Sequence, residues 1–106
     1  MKANEVNPAK WLEDKDYPIR ILFDNGDYSV IWGKYEKNMA LGVRWNGDSN
    51  IGYPRQGEYP TWYVEPDFIA FSILQTLFTL AVNDTDNLYL ENIKFAINEL
   101  TDKMTE

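Results

Sequence analysis

The chain has 106 residues, of which 44% are hydrophobic and 15% aromatic, and its formal net charge is −7. This length and composition suit a single folded domain, residues 1–106, rather than a disordered chain. Cysteine and histidine are both absent, which excludes disulfides, thiol nucleophiles, Ser–His and Cys–His catalytic pairs, and metal sites built on thiolate or imidazole.

The N-terminal segment predicts a short helix. Asn7 precedes Pro8, an arrangement typical of a helix N-cap followed by a first-turn proline. The predicted helix runs from Pro8 to Asp14, and we expect Trp11 and Leu12 to pack inward from it.

Residues 19–32 predict a β-hairpin. Two apolar runs flank Asn25-Gly26, a dipeptide typical of two-residue turns between antiparallel strands. Such a turn fixes the register, and all six paired side chains then share the face that we expect in the core. The predicted pairs are Phe23 with Tyr28, Ile21 with Val30, and Ile19 with Trp32.

Met39 to Trp45 predict a third strand, which follows a loop at residues 35–38. A three-residue loop would place Arg44 opposite Val30 on the core face, so a four-residue loop is preferred. The resulting core-face pairs are Trp32 with Leu41, Val30 with Val43, and Tyr28 with Trp45.

The opposite face of this three-stranded meander is expected to be shallow and partly apolar. It would carry Arg20, Leu22, Ser29, Ile31, Gly33, Ala40, Gly42 and Arg44. Three alternatives are open for it: cover by the chain's own loop or N-terminal helix, an oligomer interface, or a ligand site. In the last two cases Arg20, Leu22 and Ile31 are the predicted contact residues.

Thr61 to Val64, which lie between two prolines, predict a short fourth strand at an edge of the sheet. Two helices follow. The first begins at Pro66 and continues to Val82, and its polar stripe is uncharged, at Ser72, Gln75, Thr76 and Thr79. A helix that is apolar on so many sides must be covered on more than one, by the sheet, by the last helix and, in a homodimer, by a second copy.

The second predicted helix runs from about Asp86 to Lys103 and carries one apolar stripe at helical spacing. Strands first and helices last predict an α+β fold, in which an antiparallel sheet of three to four strands packs on two C-terminal helices.

Residues 44–63 combine turn-forming residues with two tryptophans, three tyrosines and two arginines. Aromatic rings and arginines on a fixed loop are typical of a recognition surface. The predicted contact residues are Arg44, Trp45, Tyr53, Arg55, Tyr59 and Trp62. Their partner could be a protein, a second copy, or a small anionic or aromatic ligand held by arginine and ring stacking. Alternatively, the loop is purely structural, with Arg44 and Arg55 paired to Asp48 and Glu58.

No metal or cofactor is predicted. Asn46, Asp48 and Asn50 echo the start of a calcium loop, but Ile51 occupies the position that needs glycine, and Gly57 occupies that of the last carboxylate ligand. No glycine-rich phosphate loop occurs either.

Residues 65–106 carry eight acidic and two basic side chains, which argues against nucleic-acid binding because phosphate contacts need lysine and arginine. The longest apolar stretch, 68–82, is short for a membrane span, and no apolar leader follows Met1. We therefore expect a soluble, cytoplasmic protein.

The sequence as a whole predicts a small acidic binding or interaction protein without catalysis, which forms a homodimer. Two alternatives remain. One is an acidic inhibitor or immunity-type protein that binds a basic partner through the C-terminal helix region, with Asp84, Asp86, Glu91, Glu99 and Asp102. The other is a small enzyme that uses arginine and carboxylates on an anionic substrate.

Overall fold

The computed structural model describes residues 11–12, 15–47 and 50–105. The strands are β1 (Trp11–Leu12), β2 (Arg20–Asp24), β3 (Tyr28–Tyr35), β4 (Asn38–Trp45), β5 (Arg55–Gln56), β6 (Tyr59–Pro60) and β7 (Tyr63–Glu65), and the helices are α1 (Asp67–Asn83) and α2 (Leu90–Met104). The predicted α+β class, an antiparallel sheet with two C-terminal helices, is confirmed.

The main sheet is four strands across, with β3 and β4 at its centre. β7 pairs with the outer side of β4, as the flanking prolines predicted for an edge strand. β1 and β2 share the other edge, where each pairs with a different part of β3. β5 and β6 form a separate two-stranded arm within the long loop between β4 and β7.

The predicted register of β3 and β4 is confirmed, but Trp45, which was expected on the core face, is 58% exposed. Trp32 pairs with Leu41, Val30 with Val43, and Tyr28 with Trp45. The strands extend further toward the turn than expected, since Tyr35 pairs with Asn38 and only Glu36 and Lys37 connect them. Glu36 adopts a φ of 55° in this tight turn.

The predicted register of β2 and β3 is wrong. Phe23 pairs with Val30 and Asp24 with Ser29, so four residues, 25–28, lie between the last paired positions, although Tyr28 already belongs to β3. Side-chain acceptors explain the longer turn, because Asp24 Oδ1 accepts from the Gly26 amide at 2.9 Å and Asn25 Oδ1 accepts from the amides of Asp27 at 2.9 Å and Tyr28 at 2.8 Å.

A β-bulge at Leu22 changes which side chains face the core. The register shifts between Ile21 and Phe23, so Ile21 pairs with Ile31 rather than with Val30. Leu22 therefore lies fully buried among the residues that face the helices, whereas Ile19 and Ile21 face the other side. These are the reverse of the predicted positions.

The main core lies between the sheet and the two helices. α1 contributes one buried stripe (Ala70, Leu74, Leu77 and Ala81) and α2 another (Ile93, Ala96 and Leu100). They pack on the sheet residues Leu22, Val30, Trp32, Leu41 and Val43. Within this layer Trp32 Nε1 donates to Glu99 Oε1 at 2.7 Å, which satisfies a buried indole.

The opposite face of the sheet is covered by two tryptophans, Trp11 and Trp62, which pack with Ile31 and Ala40. Glycine lets them approach, since a Cβ at Gly42 would stand only 3.0 Å from Trp11 Cζ2 and 3.1 Å from Trp62 Cβ. Of the three alternatives for this face, cover by the chain itself is thus the one observed.

The N-terminal helix is not seen. Trp11 and Leu12, which were expected within it, form strand β1 and pair with Tyr35 and Lys34. Residues 8–10 and 13–14, the rest of the predicted helix, lie outside the described residues.

α2 begins at Leu90, later than the predicted start near Asp86. The preceding backbone pairs instead with β2, because the Tyr89 amide donates to the Leu22 carbonyl at 3.0 Å and the Asp24 amide donates to the Asn87 carbonyl at 3.1 Å. These contacts tie the connection between the helices to the edge of the sheet.

Candidate functional site

Arg44 lies beneath the long loop between β4 and β7 and is buried. Its Nη1 donates to the carbonyls of Thr61 at 2.6 Å and Pro54 at 3.4 Å, and its Nη2 donates to the carbonyl of Ile51. Two of these acceptors, Ile51 and Pro54, come before the arm, and Thr61 comes after it. A single planar guanidinium therefore holds the start and the end of the loop together.

Burial lowers the pKa of the Arg44 guanidinium, which nevertheless stays charged at neutral pH because its intrinsic pKa is so high. The Arg44 Nε and the indole Nε1 of Trp62 are both buried and have no acceptor among the described residues. Arg44 Cζ lies 5.8 Å from the centre of the Trp62 ring, so both side chains belong to the same buried base of the loop.

The start of the loop is fixed by backbone contacts. Trp45 and Tyr53 exchange two hydrogen bonds, of 2.7 and 2.9 Å. Gly52, with a φ of 74°, passes so close that a Cβ there would collide with the Trp45 carbonyl. Only glycine fits at this position.

A buried polar network joins the loop to the turn between β2 and β3. Asn46 Oδ1 accepts from Ser29 Oγ at 2.7 Å, and Asn46 Nδ2 donates to Asp24 Oδ1 at 3.1 Å. The backbone amide of Asn46 donates to the Asp27 carbonyl at 2.7 Å. The loop is therefore anchored at two independent points.

Strands β5 and β6 form an exposed arm that turns at Gly57 and Glu58. Arg55 pairs with Pro60, and Gln56 pairs with Tyr59. Because neighbouring side chains on a strand point to opposite sides, Arg55 and Tyr59 project from opposite sides of the arm.

Large aromatic side chains stand exposed on and beside this loop. The exposed fractions are 58% for Trp45, 68% for Tyr53, 77% for Tyr59 and 58% for Tyr63. We call the exposed side chains of these four residues and of Arg55 together the aromatic surface, which includes both sides of the arm. Trp45 is also supported from behind, since its ring lies edge-on to Tyr28 with centroids 4.6 Å apart.

The predicted contact residues thus divide into two groups. Trp45, Tyr53, Arg55 and Tyr59 are exposed, whereas Arg44 and Trp62 are buried and support the loop from within. Tyr63 was not among the predicted contacts. Side chains alternate at Trp62 and Tyr63, so the buried Trp62 leaves Tyr63 exposed, but the sequence did not show which of the two faces inward.

Arg20, Leu22 and Ile31, the predicted second face, do not form one surface. Leu22 and Ile31 are buried on opposite sides of the sheet. Arg20 lies against α2, with its guanidinium 3.8 Å from the centre of the Phe95 ring and its Nη1 3.4 Å from Asn92 Oδ1. Arg20 therefore helps to fasten α2 to the sheet.

An open groove of about 680 Å³ lies between the two helices, and the sequence did not indicate it. Its apolar part is formed by Phe71, Phe78 and Ile97, and its polar rim by Gln75, Thr79, Lys94 and Asn98. None of these lining residues is a carboxylate. The described residues also contain no group of three or more carboxylates that could hold a metal ion.

Comparison of the chain with protein-family models, with curated proteins and with solved structures finds no match. Within the described ranges, neither helix has the length and apolar character that a membrane span requires.

Proposed function

We propose that this chain is a small acidic binding protein that contacts a protein partner through the aromatic surface. The observation that supports this most is the contrast across the loop. The buried Arg44 and Asn46 anchor it with hydrogen bonds, while four large aromatic side chains on and beside it stay more than half exposed.

Such a surface favours binding for two physical reasons. Tryptophan, tyrosine and arginine are the residues that most often dominate the binding free energy of protein interfaces. A loop that is already held in one conformation also loses less conformational entropy on association. A purely structural loop would need the anchors but not the exposed rings.

The shape of the surface favours a protein over a small ligand. Arg55 and Tyr59 project from an exposed two-stranded arm, whereas sites for small molecules are concave and enclose most of the ligand. We therefore propose a macromolecular partner with an apolar or aromatic recess that receives the arm.

A site-specific photo-crosslinking experiment tests this proposal. A photoreactive phenylalanine analogue replaces Tyr59 in one version of the protein and Tyr89 in another, and both are irradiated in an extract of the source cells. Tyr89 is a matched control because it is also an exposed tyrosine (46%), but lies next to α2. We expect one protein to be cross-linked at position 59 and not at position 89.

The purified cross-linked protein then serves in binding measurements. Trp45→Ala and Tyr53→Ala should each weaken binding by roughly tenfold or more, the range of interface hot spots, with an unchanged circular dichroism spectrum. Binding that is unaffected by either substitution contradicts the proposal.

The acidic-inhibitor alternative has less support. Glu99 accepts the hydrogen bond of Trp32, and Glu91 lies 3.5 Å from Lys94. Lys94 offsets the charge of Glu91, and one oxygen of Glu99 is already occupied by the Trp32 indole, so the α2 region offers fewer free carboxylates to a basic partner. The enzyme alternative gains no support from the groove between the helices, because no carboxylate lines it.

We further propose that the protein is cytoplasmic and acts as a homodimer. The support for the dimer is that α1 remains partly uncovered by the chain's own sheet and second helix.

A further inference from the structure

We infer that the groove between α1 and α2 binds a small carboxylate with an apolar body, such as a fatty acid. The groove has a volume of about 680 Å³, which is within the range of sites for small molecules. It is lined by residues of the two helices, whereas the proposed protein partner contacts the aromatic surface of the loop. This inference therefore does not rest on the proposed function.

The apolar floor of the groove is built by both helices. Phe71 and Phe78 are seven residues apart on α1 and therefore lie on the same side of it, and Ile97 faces them from α2. All three side chains pack against the main core, yet each is only partly buried. The fold thus holds the floor in place and leaves apolar surface that a ligand can remove from water, which favours binding.

The charge at the rim favours an anionic head group. Among the described residues that line the groove, Lys94 is the only charged one, although the chain as a whole has a net charge of −7. Charges in water are screened over about 8 Å at physiological ionic strength, so the nearby ammonium matters more to a ligand in the groove than the distant carboxylates do. Gln75 and Asn98, also exposed at the rim, add amide N–H donors for the same head group.

Glu91 is the carboxylate that competes for Lys94. Its Oε1 lies 3.5 Å from Lys94 Nζ, and the two side chains are 86% and 49% exposed. An ion pair so open to water contributes little free energy. A ligand carboxylate can therefore take over or share the ammonium at small cost, provided that its apolar body is held on the floor of the groove.

Three ligands with the same alkyl chain test the head group. Octanoate, octanol and octylamine are titrated separately into isotopically labelled protein, and the backbone amide signals are followed by NMR. We expect octanoate to shift the signals of the groove residues and to bind about threefold more tightly than octanol, the scale of an exposed charge pair, with octylamine the weakest. Lys94→Gln should remove the preference for octanoate and leave the affinity for octanol unchanged. Lys37→Gln is the matched control, because Lys37 is exposed but lies outside the groove, and it should keep the preference.

A bulky side chain at the rim tests the location of the site. Gln75→Trp fills the groove from α1 and should weaken the binding of octanoate and of octanol by roughly tenfold or more. Thr76→Trp is the matched control, because Thr76 is the next exposed residue of α1 and does not line the groove; it should bind both ligands like the unaltered protein. If Gln75→Trp loses its helical circular dichroism signal, Asn98→Trp fills the groove from α2 instead.

Three results would overturn the inference. The first is that octanoate leaves the signals of the groove residues unchanged. The second is that the unaltered protein binds octanoate no more tightly than octanol, or that its preference survives Lys94→Gln. The third is that the filled variant still binds octanoate as the unaltered protein does.

Discussion

Arginine is common at binding surfaces, but Arg44 instead supports, from a buried position, the loop that carries the exposed residues. Its guanidinium donates to carbonyls of Ile51, Pro54 and Thr61, and the side chain is buried rather than exposed. From the sequence, both roles are consistent with an arginine between turn residues and aromatics. Only the structure shows on which side of the loop the side chain lies.

Replacement of Arg44 by lysine should destabilise the protein. An ammonium lacks the planar fork and cannot reach all three carbonyls, so buried acceptors lose their donors. We expect the free energy of unfolding, measured by urea denaturation, to fall by about 2–3 kcal/mol. Arg55→Lys is the matched control, because Arg55 is exposed, and it should change stability by less than about 0.5 kcal/mol. Equal effects of the two substitutions would contradict this role.

Tyr28 should make stability depend on pH in the alkaline range. Burial and, to a lesser extent, the negative charge of Glu65 raise the pKa of its phenol in the folded protein. The neutral phenol thus contributes stability that is complete below the unfolded pKa, about 10, and is lost as pH rises through the folded pKa. Tyr28→Phe should therefore flatten the decline of the urea midpoint above about pH 10. An unchanged pH dependence would show that Tyr28 does not cause it.

At the level of elements, the packing of Trp11 and Trp62 on the sheet requires that β4 have no side chain at Gly42. A Cβ at Gly42 would stand 3.0 and 3.1 Å from two atoms of the Trp11 ring, closer than ordinary contact. Gly42→Ala should therefore lower the free energy of unfolding by about 1–3 kcal/mol, the usual range for overpacking.

A double-mutant cycle with Trp11→Leu checks the cause of that loss. The smaller side chain leaves room for the new methyl group, so Gly42→Ala should be less destabilising in the Trp11→Leu background. The measurement is the free energy of unfolding of the unaltered protein, of each single variant and of the double variant. Additive effects would show that Trp11 is not what the added methyl group meets.

The elements differ in how far the sequence could predict them. The β3–β4 register and the two helices follow from apolar periodicity, because a shift by one residue would have buried Arg44 among apolar residues in the core between sheet and helices. The β2–β3 register depends instead on side-chain acceptors at Asp24 and Asn25 and on the bulge at Leu22. From Ile19 to Phe23 every residue except Arg20 is apolar, so either face of this segment could be assigned to the core.

The same limit applies to the candidate site. Composition indicated the loop and its exposed rings, and the contact residues Trp45, Tyr53, Arg55 and Tyr59 remain predictions. The inward direction of Arg44 and Trp62 was not available from the sequence, because it depends on loop carbonyls and on Gly42 of a neighbouring strand. The contact of Arg44 with Thr61 and that of Gly42 with Trp62 each join residues that are distant along the chain.

For the whole molecule, the distribution of charge distinguishes binding through the aromatic surface from binding through the acidic C-terminal region. Residues 65–106 carry a net charge of −6, from eight acidic and two basic side chains, whereas Arg55 and Glu58 on the exposed arm of the loop offset each other. The proposed aromatic surface, at residues 45–63, lies outside this acidic part of the sequence. We therefore expect the association of this protein to depend on apolar contact more than on electrostatic attraction.

This distribution predicts how the partner's affinity responds to salt. Screening weakens attraction between exposed charges but leaves burial of aromatic rings almost unchanged. Between about 0.05 and 0.3 M salt, a range over which the Debye length falls more than twofold, the affinity measured by calorimetry should change by less than about threefold. The double variant Glu91→Gln/Asp102→Asn serves as the charge control and should bind like the unaltered protein. A steep loss of affinity with salt, together with weaker binding by that variant, would instead favour the acidic-inhibitor alternative, because only a contact through the α2 region needs those carboxylates.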